Sequence, residues 1–293
     1  MRIGLITPTP DHPLLAATAA LLTPEHRVEV VNPDTVRSVS DRTPADVYLL
    51  KSRTPHALAL ARDLERRGAR VVNSATATAR VQDRTEMADV ARRAGLPFAP
   101  TRTFTSLSAL ADPTGLTDLP DLTAPVVVKS RHSRKHDLVA RVDTHGQLRE
   151  LAARHPEEPV VVQEFAPNSG WDHKLWAVGD QVFAALRRSE LAPDGRSDTR
   201  SLALADLPSG WADLVRRVGQ VFALDVYGVD VIGTGTDPKA KNPPTDPDAK
   251  TPLIVDINAF PGIRNQPGAP EALAAMALRT GRGVREAESL VRP

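Results

Sequence analysis

Cysteine is absent from all 293 residues, which excludes disulfides, thiolate-held metals and a thiol nucleophile. Net charge is equally scarce: 37 Lys and Arg stand against 36 Asp and Glu, leaving +1. No global field draws the chain to nucleic acid or an anionic membrane, so anion binding has to come from local clusters. No apolar run approaches the roughly 18 residues of a membrane span. The opening Met-Arg-Ile-Gly-Leu-Ile reads as a strand, too short and too poorly flanked for a signal peptide, so the expected location is cytoplasmic. The first strand is not followed by G-x-G-x-x-G. Also missing are G-x-x-x-x-G-K-[ST], a kinase Gly-rich loop with D-F-G, H-E-x-x-H and G-x-S-x-G. What remains is an ordinary soluble composition, 41% hydrophobic and 25% charged, at a length that suggests about two domains.

The first third alternates strands and helices. Residues 2–6, 27–31, 47–51 and 70–72 read as strands, with helices over 14–22 and 56–67. That order predicts a parallel, doubly wound sheet. A helix over 83–95 closes on Gly95. Strands then dominate, at 126–129, 138–142, 160–165, 173–178, 181–187, 226–232 and 253–259, with helices over 211–223 and 270–280. Residues 233–251 hold four Pro, three Asp and three Lys, which predicts a solvated, disordered excursion between two paired strands.

Chemistry is first suggested by Leu253 to Gly262. Three apolar residues lead into Asp256-Ile257-Asn258, and residues two apart on a strand share a face. Asp230 sits in the otherwise apolar Tyr227 to Ile232. If the two strands pair, Asp230, Asp256 and Asn258 converge on one hard cation such as Mg²⁺. The alternative is that Asp230 caps a turn and Asp256 pairs with an Arg. Residues 129–136 carry four cations in eight positions, led by Lys129 at the end of a buried strand. They read as a phosphate-covering loop, with a solvated hairpin as the alternative. The segment lacks aromatics for stacking on nucleic acid. Val160 to Phe165 reads first as an ordinary strand end, with a backbone free to pair with a purine edge as the alternative.

In their order these motifs resemble the ATP-grasp superfamily, over nearly the whole chain and most specifically from Val126 to Gly262. The resemblance implies an α/β (α+β) ATP-grasp fold preceded by an N-terminal doubly wound α/β pre-ATP-grasp domain. The expected division is 1–82, 83–165 and 166–293. The likeness to inositol polyphosphate kinases rests on Asp83-Arg84, Lys129-Ser130-Arg131, His136, Val161 to Phe165, Lys174 to Gly179, Arg187 to Ser189, Gly228 to Ile232 and Asp256 to Gly262. It implies that Arg84 and Lys129 contact ATP phosphates, that Gln163, Glu164 and Phe165 form the adenine hinge, and that Ser189 lies near the nucleotide. Asp230, Asp256 and Asn258 would hold Mg²⁺. Lys51, His136, Lys174 and Gly262 would face the acceptor, and Lys129, Arg187 and Asn258 form the expected catalytic set.

The same superfamily contains RimK-like carboxylate–amine ligases, which pass the γ-phosphate to a carboxylate before an amine attacks. They often carry Glu at the position of Asp256 and a Gly-rich loop at that of 130–136. The expectation is therefore a kinase acting with ATP and Mg²⁺ on a small hydroxylated acceptor, with the ligase as alternative. A non-catalytic nucleotide-binding module is the remote third. The expected partner is a small molecule, with neither nucleic acid nor membrane, and the oligomeric state is left open.

Overall fold

The computed structural model of the chain describes residues 1–36, 44–111, 124–134, 136–191, 199–234 and 251–291. The N-terminal region builds β1 (Arg2–Ile6), α1 (Pro13–Leu22), β2 (Arg27–Val31), β3 (Val47–Leu50), α2 (Pro55–Arg66) and β4 (Val71–Val72). Next come α3 (Ala75–Arg80), α4 (Arg84–Arg93), β5 (Thr101–Phe104), α5 (Leu107–Ala111), β6 (Val126–Ser130), β7 (Val139–Val142), α6 (His145–Arg154) and β8 (Val160–Glu164). The remainder contains β9 (Trp171–Val178), β10 (Gln181–Arg188), β11 (Thr199–Leu202) and a 3-10 turn at Leu204–Asp206. It ends with α7 (Trp211–Phe222), β12 (Val226–Thr234), β13 (Thr251–Ala259) and α8 (Ala269–Val291).

The first four strands pair in parallel in the order β2-β1-β3-β4. A parallel sheet needs both faces covered. Leu58, Ala61 and Leu64 of α2 cover the face bearing Ile6, Tyr48 and Leu50. The opposite face, with Ile3, Leu5, Val47 and Leu49, receives Leu14 and Leu15 of α1 and Leu273, Met276 and Ala277 of α8. The C-terminal helix thus completes a layer of the N-terminal sheet. Strand order reverses between β1 and β3, and the carboxyl ends at such a switch point form a crevice.

Two antiparallel sheets face each other beyond this unit. The sheet β5-β8-β6-β7 buries one face under α5 and α6. The sheet β11-β10-β9-β12-β13 buries one face under α4 and α7. On the other side of the five-stranded sheet Trp176 and Phe183 pack toward α8, and the rest of the two facing sides is free to line a cleft. Local signals set the helix starts. Thr54 Oγ1 accepts from the Ala57 N–H at 3.2 Å and Pro55 follows, a favoured cap and first residue. Thr144 and Gln147 exchange capping bonds at α6, and α7 buries Trp211, Val215, Val218 and Phe222 along one stripe.

The expected strands all form. β5 is additional: Thr-Arg-Thr-Phe has no apolar alternation, and it is ordered by pairing with Val160 to Gln163. In the expected excursion at 233–251, Gly233, Thr234 and Thr251 belong to β12 and β13; residues 235–250 lie outside the described residues. Asn73, fully buried, joins the N-terminal unit to the start of β12. Its Nδ2 donates to the Val226 carbonyl at 2.6 Å, and its Oδ1 accepts from the N–H groups of Asp225 and Val226 at 2.7 and 2.9 Å. Asn73→Ala strands a buried N–H and should cost about 2 kcal/mol. The expected result is a lower urea midpoint with an unchanged slope; an unshifted midpoint would show that the bonds contribute nothing net.

Candidate active site

Leu175 of β9, Val229 of β12 and Ile257 of β13 point into the core, so their alternating neighbours face the cleft. The register sets Lys174 beside Asp230 and Asp230 beside Asp256. Lys174 Nζ lies 2.6 Å from Asp230 Oδ2 and 3.6 Å from Asp172 Oδ2. Arg187 extends the row, 3.9 Å from Asp172 and 3.4 Å from Glu190. The β12–β13 ladder slips by one residue next to Asp230. Because of that bulge, Val255 and Asp256 both line the cleft, which strict alternation forbids. Bulges re-aim side chains in this way. The Val255 carbonyl accepts from Lys129 Nζ at 2.7 Å.

Lys129 reaches across from β6, and Arg84 does so from the first turn of α4. Asp83 caps that helix by accepting from the Thr85 N–H at 2.9 Å, and it also takes both Nε and Nη2 of Arg131. Arg84 is 4% exposed. Its Nη1 donates to the Ser130 carbonyl at 2.8 Å and to Asp137 at 2.7 Å, and its Nη2 donates to Asp256 Oδ2 at 2.8 Å. One guanidinium therefore joins three segments.

Burial alone would raise the Asp256 pKa, but Arg84, Lys129 and Lys174 hold its carboxyl below the usual range. Burial pushes the Lys129 ammonium down to about 8 against the pull of Asp256. Arg84 stays charged despite burial because Asp256 and Asp137 face it.

These groups line one cleft of about 1240 Å³ between the two antiparallel sheets. Arg84, Lys129, His136, Gln163, Glu164, Phe165, Lys174, Arg187, Ser189, Asp230, Asp256 and Asn258 all border it, with Val127, Ile232 and Leu253 as apolar wall. Gln163 Nε2 donates to Thr101 Oγ1 at 3.0 Å, and the Arg141 guanidinium sits 4.1 Å over the Phe165 ring. His136 is exposed at the rim. Lys51 and Gly262 stand outside this lining, at the ends of β3 and of the turn after β13. Arg53, which the sequence did not single out, lines the cleft and donates to Asn258 Oδ1 at 3.4 Å. Its position just past a parallel strand at the switch point was the available signal.

Among the described residues no group of three or more His, Cys, Asp or Glu is arranged to hold a metal. Asp230, Asp256 and Asn258 offer two carboxylates and an amide oxygen. That hard, incomplete set suits Mg²⁺ when phosphates and water supply the remaining ligands. Lys174, Arg84 and Arg53 each set a cationic group against one of these oxygens, so every donor of the wall already faces positive charge.

A RimK-like ATP-grasp domain matches residues 102–243, just under half of the chain. Over 96% of its length, and 99% of the other chain, the protein superposes on the RimK-domain ATP-grasp protein of Sphaerobacter thermophilus, with TM-score 0.69 and 20% identity. The chain has the ATP-grasp fold. A second ATP-grasp-fold neighbour, the D-alanine–D-alanine ligase of Bacillus anthracis complexed with ATP, aligns over 98% of this chain and 99% of its own, with TM-score 0.71 and 15% identity. Among curated sequences, the ribosomal protein bS6–L-glutamate ligase of Shigella boydii is 25% identical over 218 residues. That match covers 72% of this ATP-grasp chain and 66% of the relative, just under two thirds of its length.

These findings back the expected fold, and the relatives' names favour the ligase alternative over the expected kinase. The geometry explains why the two signals for a kinase were weak. Arg131 and Arg134 of the basic loop are paired with Asp83 and Glu158, and Lys135 lies outside the described residues. Asp at position 256 differs from Glu by one methylene and leaves a carboxylate in place. Asp256 also pairs with an Arg, as the alternative reading had it, while remaining in the cleft.

Arg84→Met would leave Asp256 and Asp137 without their shared counter-charge, at a cost of about 3 kcal/mol at pH 7. A carboxylate held low by a partner contributes stability above its unfolded pKa and loses it as pH falls through the folded one. The difference in urea midpoint between wild type and Arg84→Met should therefore be full at pH 7 and narrow only as pH falls below the usual carboxylate range, under about pH 4. A gap independent of pH would contradict the pairing.

Proposed function

We propose that this chain is a Mg²⁺- and ATP-dependent carboxylate–amine ligase. The observation that carries the reading is one cleft in which Lys129 and the Gln163–Phe165 strand end face Asp230, Asp256 and Asn258. The ligase names of its relatives support the reaction type. The division into 1–82, 83–165 and 166–293 belongs to the same reading.

Adenine would pack between Val127, Ile232 and Leu253 with its edge on the backbone of Gln163 to Phe165, and Ser189 beside the nucleotide. The phosphates would run toward Lys129 and Arg84. Asp230, Asp256 and Asn258 would hold Mg²⁺, which when bound would supply positive charge to offset that of the phosphates and of the departing ADP. Lys174, Arg187, His136, Gly262 and Lys51 would face the acid substrate.

A carboxylate oxygen of that substrate attacks the γ-phosphorus, and the bond from γ-phosphorus to the bridging oxygen breaks. ADP leaves with the electron pair, giving an acyl phosphate. The amine nitrogen then attacks the acyl carbon, the carbon–oxygen bond to phosphate breaks, and the amine releases a proton. Such transfers ask little covalent work of the protein, so the cationic side chains act by orienting the phosphates and offsetting their charge.

The test is product analysis with Mg-ATP and a panel of amino acids and peptides, with hydroxylamine as a trap for the acyl phosphate. The expected products are ADP, inorganic phosphate and amide, or hydroxamate, in equal amounts. Asp256→Ala should lower the rate by at least about 100-fold. A stable phosphoester would sink the ligase reading, and full turnover by Asp256→Ala would remove the metal from this wall.

A further inference from the structure

Elsewhere in the site Arg84 faces Asp137 and Asp256, Lys174 faces Asp230, and Arg187 faces Asp172. The crevice at the carboxyl ends of β1 and β3 differs. Lys51 follows β3, and Arg53 lies two residues on, reaching Asn258. From the β1–α1 loop, His12 meets Arg264 over Gly262. A Cβ at Gly262 would lie 3.5 Å from His12 Nε2 and 3.7 Å from Arg264 Nε. Lys51, Arg53 and Arg264 form no ion pair among the described residues.

We infer that the acid activated here carries a second anionic group, a carboxylate or phosphate, held by Lys51, His12 and Arg264 with Arg53 between it and the metal wall. The location of the reacting carboxylate rests on the ligase reading above. The crevice adjoins that carboxylate without sharing its counter-charges. Arg53 touches the metal wall at Asn258, whereas Lys51, His12 and Arg264 lie beyond it. Clustered cations that lack acids destabilise a fold, and a ligand that supplies the missing charge recovers that free energy on binding.

Four features agree. Burial, then Arg53 and Arg264, push Lys51 down to about 8, and no carboxylate among the described residues opposes them. His12 is lowered by burial, Lys51 and Arg264, against Asp11 alone among the acids, and its Nδ1 is buried without a partner. The turn that brings Gly262 and Arg264 here is strained, with Phe260 at φ +43° and the β-branched Ile263 at φ +37°. Positive φ at a β-branched residue is rare and clusters at ligand-binding segments. The first turn of α1, next to His12, has no acidic residue, so its N-terminal dipole adds to the positive potential.

The experiment is calorimetric titration of the full chain, saturated with Mg-ADP, with three matched pairs. These are L-glutamate and L-glutamine, L-aspartate and L-asparagine, and O-phospho-L-serine and L-serine. The expected result is that at least one doubly anionic member binds about 10-fold or more tighter than its mate. The carboxylate and phosphate pairs distinguish the two sources of charge. Lys51→Met and Arg264→Met should each bring that ratio close to one, with Mg-ADP affinity retained as the measure of folding.

Equal binding within every pair, no binding by any doubly anionic member, or selectivity that survives both variants would each overturn the inference. A phosphoester product would sink the ligase reading while leaving this selectivity intact. Amide formation without charge selectivity would overturn this inference alone.

Discussion

A buried guanidinium has to be compensated on every side, and Arg84 meets that constraint by drawing three parts of the chain together. Its partners are Asp256 on β13, Asp137 after the basic loop and the Ser130 carbonyl at the end of β6. Removing any one partner leaves charge in a medium where it costs several kcal/mol. The separation of the two antiparallel sheets, and with it the width of the cleft, is tied to this one group. Lys129 repeats the device on a smaller scale, capping the carbonyl that the β13 bulge turns out of the ladder.

The resulting site is a balance of opposite charges, and that balance suits phosphate chemistry. Three oxygen donors face three cationic side chains. A cation and a polyphosphate arriving together could replace both halves of these pairs without leaving charge unpaired. In the crevice at β1 and β3, Lys51, Arg53 and Arg264 form no ion pair among the described residues. That asymmetry between two adjacent parts of one molecule underlies the substrate class proposed for it.

Much of this was legible in the sequence where chemistry and periodicity coincide. The alternation of the first third gave a parallel sheet, and Asp-x-Asn with Asp230 gave the cleft-facing wall. Other features had no local signal. In Leu253-Ile254-Val255 three apolar residues hide the parity change, so the bulge is invisible until β12 pairs with β13. The acids that occupy Arg131 and Arg134 come from 48 and 24 residues away, and the loop therefore read as freer than it is. β5 owes its order to β8, and α8 covers the sheet farthest from it in sequence. His12, Arg53 and Arg264 come from three separate loops, each unremarkable alone.

The central claim is that Asp230, Asp256 and Asn258 form a cation wall for a nucleotide. Electron paramagnetic resonance of Mn²⁺ titrated into the chain, with and without ADP, tests it most directly. Immobilised Mn²⁺ that requires ADP is the expected result, with Asp230→Asn and Asp256→Asn each weakening it roughly 10-fold or more. Mn²⁺ bound equally well by both variants would contradict it.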